Sequence, residues 1–231
     1  MNEKKVYILS GAGLSAESGI RTFREADGLW EEYPVEEVCS VQGFARNRQK
    51  VLDFYDNLRI NLEDKKPNRA HQGLATIKNK YPDHIVMLTQ NVDDMLERAG
   101  CQDVIHLHGT LVDLRCENCE EVFRIGYRSQ NGLCCPACGS EQIRHNVVMF
   151  KEAAPAYIYL RDLYEEADMV VVIGTSGYVI DTAYMAQLVD YSILNNLDED
   201  SNIDQYFSKC FYLPATQAID EIIKEIETFL A

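Results

Sequence analysis

Short apolar runs alternate with amphipathic segments along most of this chain, and that alternation limits the possible folds more than any other feature. Runs of strand length fall at residues 6–9, 85–88, 104–107, 169–173, 192–194 and 211–213. Segments of helical periodicity follow or separate them at 71–80, 93–99, 158–166, 182–188 and 216–230. A strand joined to the next by a helix re-enters the sheet in the same direction, so the pattern predicts an α/β protein with a doubly wound parallel sheet. Asp93 and Asp94 suit the first turn of a helix, and Gly100 suits its stop. Two stretches break the alternation. Residues 25–67 are helical and aromatic, with Trp30, Tyr33, Phe44, Phe54 and Tyr55, and residues 113–150 carry a cysteine cluster. Both read as insertions that pack together as a smaller lobe, and a cleft between lobes is a favoured place for a ligand.

The first apolar run leads directly into Gly11, Gly13 and Ala16, the G-x-G-x-x-G/A spacing of a dinucleotide-binding turn. Small residues there let the backbone curl sharply and let a pyrophosphate approach the N–H groups that open the next helix. The same turn also occurs as pure architecture. The main domain, residues 1–24, 68–112 and 151–231, is therefore expected to be Rossmann-like, with 25–67 and 113–150 forming the small lobe.

At 231 residues and 46% apolar content the chain can bury one good core plus a small insertion. No apolar stretch approaches the roughly 20 residues needed to cross a bilayer. A first strand beginning by residue 6 leaves no room for a leader peptide, so a cytoplasmic protein without a membrane partner is expected, as a monomer. The net charge of -15 opposes binding to nucleic acid, whose phosphates need a basic face. It suits attraction of lysine-rich protein segments and equally serves solubility.

Five of the eight cysteines crowd between residues 116 and 138, while Cys39, Cys101 and Cys210 are scattered. Cys116 and Cys119 form one C-x-x-C knuckle, and Cys135 and Cys138 form a second one fifteen residues later. Each knuckle offers two thiolates from one tight turn, and two knuckles complete a tetrahedron around a single structural zinc ion. Cys134 could stand in for Cys135 at some cost in loop geometry.

Polar residues gather where the predicted strands end. Gln90, Asn91 and Asp93 follow one strand, and Gly174, Thr175 and Ser176 follow another, at the sheet edge where open α/β folds bind ligands. His106 and His108 share one face of a third strand, with Leu107 on the other. A histidine at a strand's carboxyl end is a candidate general base, because its ordinary pKa lies near working pH.

Taken in order, GAG-x-S-x-x-SGI-x-x-FR, TQN-x-D at 89–93, HGT at 108–110, the two cysteine knuckles and GTS at 174–176 resemble the sirtuins, a family of NAD-dependent protein-lysine deacylases. The resemblance spans nearly the whole chain and is of bacterial type. It implies that NAD is consumed as a co-substrate, with Gly11, Ala12, Gly13, Ser15, Phe23, Arg24, Gln90, Asn91, Asp93, Gly174, Thr175, Ser176 and Asn196 contributing to its site. Phe23 would shield the nicotinamide site from water, and Arg24 would organise the cofactor loop. Asn91 and Asp93 would line the nicotinamide and ribose pocket, and Asn196 would help hold the adenosine. His108, directly before the glycine, would be the base, and His106 a structural neighbour. The zinc ligands would be Cys116, Cys119, Cys135 and Cys138. The implied chemistry moves the acyl group from a protein lysine to ADP-ribose and releases nicotinamide and O-acyl-ADP-ribose.

The chain departs from the family pattern in places. Arg21 and Thr22 replace the usual Pro-Asp, which places it with the class III branch, whose members include enzymes removing succinyl and malonyl groups. That branch reads the acidic acyl tail with Y-x-x-R on a helix; here Tyr55 is followed by Leu58, with Arg59 one residue later. One residue is about 100° of helix, so Arg59 reaches the same pocket only if the geometry allows it. Acetyl removal is the leading expectation, with succinyl and malonyl open. Residues 147–152, including Val147, Val148 and Phe150, should form an extended edge for the substrate peptide, with Lys151 where the family has glycine. Two other readings stay open: protein mono-ADP-ribosyl transfer at the same NAD site, and a non-catalytic NAD or ADP-ribose sensor. A simple dehydrogenase is disfavoured, because no second strand ends in a ribose-binding acid at the expected distance.

Overall fold

The strand-length runs assemble into one parallel sheet. The computed structural model describes residues 4–22 and 34–231. Phe23, Arg24, Trp30 and Tyr33 lie outside the described residues. In chain order the strands are β1 (Val6–Ser10), β2 (Ile85–Thr89), β3 (Val104–His106), β4 (Gly109–Cys116), β5 (Val122–Arg124), β6 (Ile143–Val147), β7 (Met169–Ile173), β8 (Tyr191–Asn196) and β9 (Lys209–Tyr212). The helices are α1 (Gly13–Ala16), α2 (Val35–Val38), α3 (Val41–Arg46), α4 (Arg48–Ile60), α5 (Arg69–Lys80), α6 (Met95–Arg98), α7 (Ile158–Glu166), α8 (Thr182–Gln187) and α9 (Ala215–Leu230).

The six-stranded sheet has the order β3-β2-β1-β7-β8-β9, with every neighbour parallel. From β1 the chain winds outward through β2 and β3, then returns to β7 on the other side of β1 and winds outward again. The loops leaving β1 and β7 therefore diverge, which opens a crevice at their carboxyl ends. All residues of β1 and β7 are buried, as strands covered on both faces must be. Alternate side chains serve opposite layers. Val6, Ile8, Val171 and Ile173 face α5 and α9 through Leu74, Ile77, Ile219 and Ile222. Tyr7, Leu9, Val170 and Val172 face α7 through Leu160 and Leu163.

The small lobe joins the two insertions. Its sheet is antiparallel, in the order β5-β4-β6, and β4 starts at Gly109, directly after His108 and earlier than the expected boundary at 113. Val51, Phe54 and Tyr55 of α4 share one apolar cluster with Leu111, Val147 and Met149. A second cluster, Leu114, Cys116, Ile125, Cys135 and Ile143, underlies the cysteine knuckles.

Arg59 belongs to this packing and not to the cleft, which corrects the expectation that it reads an acyl carboxylate. Its side chain is fully buried, paired with Asp56 and donating to the Leu111 carbonyl of β4. Asp56 in turn accepts from the Ser129 hydroxyl and the Gln130 backbone N–H. The pair thus staples α4 to both β4 and the segment after β5. Cutting a buried pair strands the remaining charge, so Arg59→Met should lose roughly 3–5 kcal/mol in urea unfolding at pH 7.5. Removing both charges, as Asp56→Leu with Arg59→Met, should recover most of that loss.

Candidate active site

A cleft of about 710 Å³ opens at the carboxyl ends of β1, β2, β7 and β8 and runs under the small lobe. That size is typical of a small-molecule site. Gly11, Ala12, Gly13, Gln90, Asn91 and His108 line it from one side of the switch point, and Gly174, Thr175, Ser176 and Asn196 from the other. Tyr55, Leu58, Val147, Val148 and Phe150 line the end under the small lobe. Ser15, Asp93 and Arg59 do not reach the lining.

The glycine turn, expected to cradle a pyrophosphate, packs directly against the start of the loop after β7. A Cβ at Gly13 would stand 2.7 Å from the Gly174 Cα, and one at Gly174, where φ is +66°, would stand 2.5 Å from the Leu14 nitrogen. Glycine is required because the two backbones touch. The Gly11 and Gly13 N–H groups donate to the carbonyls of Ile173 and Gly174, and those of Leu14 and Ser15 donate back to Gly11 and Ala12. These four donors are bonded within the protein, and α1 is a single turn. The turn therefore shapes the cleft floor by joining the β1 and β7 loops.

Beneath that floor, Ser15 is a hub. Its hydroxyl donates to Asp93 Oδ2 at 2.9 Å and accepts from Asn91 Nδ2 at 3.2 Å. His71 supplies the third bond. Its Nδ1 accepts from the Asn68 N–H, so its proton sits on Nε2 and is donated to the Ser15 hydroxyl at 3.2 Å. Burial pushes the His71 pKa down to about 4, keeping the ring neutral. Burial raises the pKa of Asp93, against bonds from the Met95 N–H and Ser15. Asn91 Nδ2 also donates to the Gly11 carbonyl at 3.0 Å, tying the β2 loop to the glycine turn. Sequence reasoning missed His71, although its place three residues after Asn68, a helix-capping residue, was a usable signal.

The two histidines follow the expected alternation, with Leu107 buried in the core between them. Their Nδ1 atoms bond consecutive carbonyls, His108 to Gln90 and His106 to Asn91, each at 2.9 Å. Both Nδ1 atoms must therefore carry hydrogen. The Nε2 partners differ. His106 Nε2 faces Glu97 Oε1 at 2.6 Å, so both of its nitrogens meet acceptors, which favours the imidazolium. Burial alone would lower its pKa, but the Glu97 carboxylate, with help from the Asn91 carbonyl, raises it overall. His108 Nε2 faces the Tyr157 hydroxyl at 2.9 Å, keeps its lone pair and stays neutral. Burial lowers its pKa, opposed by the Gln90 carbonyl. Nothing in the sequence pointed to Tyr157.

The expected extended edge ends early. Phe150 bonds the segment before α3, donating to the Cys39 carbonyl and accepting from the Val41 N–H. The chain then turns at Lys151, where φ is +69°. That left-handed conformation suits the glycine the sirtuin pattern carries there and costs a lysine roughly 1 kcal/mol. Glu152 folds back to pair with Arg115 and Arg144 and accepts from the Met149 N–H.

The sulfur atoms of Cys116, Cys119, Cys135 and Cys138 lie within 4.8 Å of one another, and Cys134 is exposed outside the group. Two of the separations are 3.6 Å, close to the roughly 3.8 Å edge of a tetrahedron with 2.3 Å zinc–sulfur bonds. The residues fit zinc. The ion would cross-link the two knuckles, and none of its ligands lines the cleft.

Two measurements check these assignments. Cys135→Ser should lose bound zinc and lower Tm, whereas Cys134→Ser should retain about one zinc per chain by metal analysis. His106 is stabilising while protonated, so its contribution is complete below about pH 6.5 and is lost as pH rises through its raised pKa. Glu97→Gln should lower the His106 pKa measured by NMR and reduce stability most below that pKa.

Comparison with known proteins agrees with this geometry. Residues 11–181 match the model of the Sir2 family. The chain is 51% identical over 227 residues to a protein of Campylobacter jejuni (strain RM1221) named NAD-dependent protein deacylase, covering 98% of this chain and 97% of that one. A solved Sir2 homologue–NAD complex is similar at a TM-score of 0.84 and 35% identity, covering 100% of this chain and 92% of that one. An ADP-ribose complex of a mutant Sir2 homologue is similar at 0.86 and 35%, covering 99% and 94%. With a matching family model over most of its length, the six-stranded parallel sheet, the four-cysteine cluster and the His108 cleft, this chain belongs to the Sir2 family.

Proposed function

We propose that this protein is a NAD-dependent protein-lysine deacylase in which His108 is the base and the acyl pocket takes a neutral chain, acetyl foremost. The observation that carries the reading is the neutral His108, which has Nδ1 fixed by Gln90 and Nε2 at the cleft. In the reaction, the acyl oxygen of the modified lysine displaces nicotinamide from the ribose of NAD. His108 Nε2 then takes the proton from a ribose hydroxyl, whose oxygen attacks the acyl carbon; water completes the transfer, the acyl C–N bond breaks, and free lysine and O-acyl-ADP-ribose leave. Asn91 and Gln90 line the nicotinamide and ribose end, with Asn91 held by Gly11 and Ser15 so that its Oδ1 is the available acceptor. Asp93 acts from below through Ser15. Thr175 accepts from the Gln90 side-chain amide, and its carbonyl accepts from Asn196 Nδ2, so these residues form one wall for the rest of NAD.

The acyl preference rests on the small-lobe end of the cleft. Tyr55 and Leu58 sit there among Cys39, Val147 and Met149, an apolar set, while Arg59 is committed to Asp56. A carboxylate entering this set would lose water without a guanidinium to replace it. Among the described residues no helix is long and apolar enough to cross a membrane. All eight cysteines are unpaired, which supports work in the reducing cytoplasm on acylated protein lysines.

Mass spectrometry of NAD reactions with matched acetyl-lysine and succinyl-lysine peptides tests the reading. O-acetyl-ADP-ribose should dominate, and His108→Ala should reduce its formation by roughly 10²–10⁴-fold. Leu58→Arg, which restores the Y-x-x-R register, should bring in O-succinyl-ADP-ribose. Equal turnover of both peptides by the unaltered protein would overturn the neutral-chain assignment.

A further inference from the structure

Tyr157 ends a 3-10 turn, Pro155–Tyr157, at the head of α7, and its ring lines the cleft half-buried. Its hydroxyl lies 2.9 Å from His108 Nε2, and the two ring centroids are 5.8 Å apart. Because His108 Nδ1 already carries the proton given to Gln90, Nε2 holds only a lone pair, and the phenol is the donor. Among the described residues the phenol has no other hydrogen-bond partner. Burial raises the Tyr157 pKa, so the hydroxyl keeps its proton across the working range.

An imidazole lone pair accepts one strong donor at a time. A ribose hydroxyl that is to lose its proton to Nε2 must direct its own O–H at the same lone pair. The phenol therefore stands where that hydroxyl has to come. We propose that Tyr157 is a positioning residue that caps the base in the free enzyme, aiming His108 Nε2 into the cleft, and gives up that place to the ribose hydroxyl when NAD binds. The proposal rests on the reading of His108 as the base. Two groups face the ring: the Gln90 carbonyl from the end of β2 and the phenol from the 3-10 turn. No charged neighbour among the described residues contributes to its titration. A bond donated to the neutral imidazole disfavours its protonation, so losing that bond should make the free base easier to protonate.

Tyr157→Phe removes one oxygen and leaves the ring. In the free, zinc-loaded variant, the His108 pKa read by NMR should rise by roughly 0.5–1 unit, the effect of one neutral hydrogen bond. The acid limb of kcat/KM for NAD, which reports the free enzyme, should move up by the same amount. The acid limb of kcat, which reports the bound complex, should stay in place, because the phenol has already been displaced there. An unchanged His108 pKa in the free protein would overturn the cap, and a kcat limb that moves as far as that of kcat/KM would overturn displacement. The NMR titration needs no turnover, so it stands apart from the base assignment. If His108→Ala kept full turnover, that assignment would fail by itself.

Discussion

The cleft depends on the approach of two backbones across the split between β1 and β7. Gly13 and Gly174 meet there with no room for a Cβ on either, and the Gly11 and Gly13 N–H groups cross to the β7 end. The polar groups beneath the cleft floor hang from this contact. Asn91 bonds the Gly11 carbonyl, Ser15 lies in the single turn that Gly13 opens, and Asp93 and His71 meet at the Ser15 hydroxyl. Because these groups are buried, each needs its partner, and an unmet donor would cost about 1–3 kcal/mol. The result is a floor in which Ser15, Asn91, Asp93 and His71 are each held by more than one partner.

Above that floor, one strand end presents two imidazoles whose pKa values are shifted in opposite directions. Both are anchored alike, through Nδ1 to neighbouring carbonyls of the β2 loop. The difference lies in a single atom on the far side of each ring. A carboxylate at His106 Nε2 favours the protonated ring, whereas a phenol at His108 Nε2 preserves a lone pair. His106 ties the loop that carries Asn91 to Glu97, and His108 keeps the lone pair that its proposed role as base requires.

The α4 face makes a related point about register. Tyr55 and Leu58 look into the cleft, while Arg59, one residue on, is turned into the lobe and neutralised by Asp56. A charge only about 100° away around a helix is functionally remote when burial and pairing hold it there. Lys151 shows the converse: a substitution away from glycine is kept in a left-handed turn because pairing on both sides of it, at Phe150 and Glu152, fixes the backbone.

The parallel sheet was legible in the sequence because burial on both faces demands continuous apolar runs, and β7 and α7 fall where periodicity placed them. The cysteine knuckles were legible because metal geometry fixes their spacing, which favoured Cys135 over Cys134, and the fold brings the same four sulfurs together. The strand-end polar residues and the two histidines could be found from local pattern alone. Their states could not, since a protonation state depends on which atom of a distant residue faces each nitrogen. Glu97, Tyr157 and His71 come from α6, the head of α7 and α5, and no local pattern announces such meetings. Likewise, sequence placed Arg59 within reach of an acyl tail, and only tertiary packing against Asp56 and Leu111 turned it away. Local patterns of burial and ligand spacing determined the architecture, and contacts between residues far apart in the chain decided the chemistry.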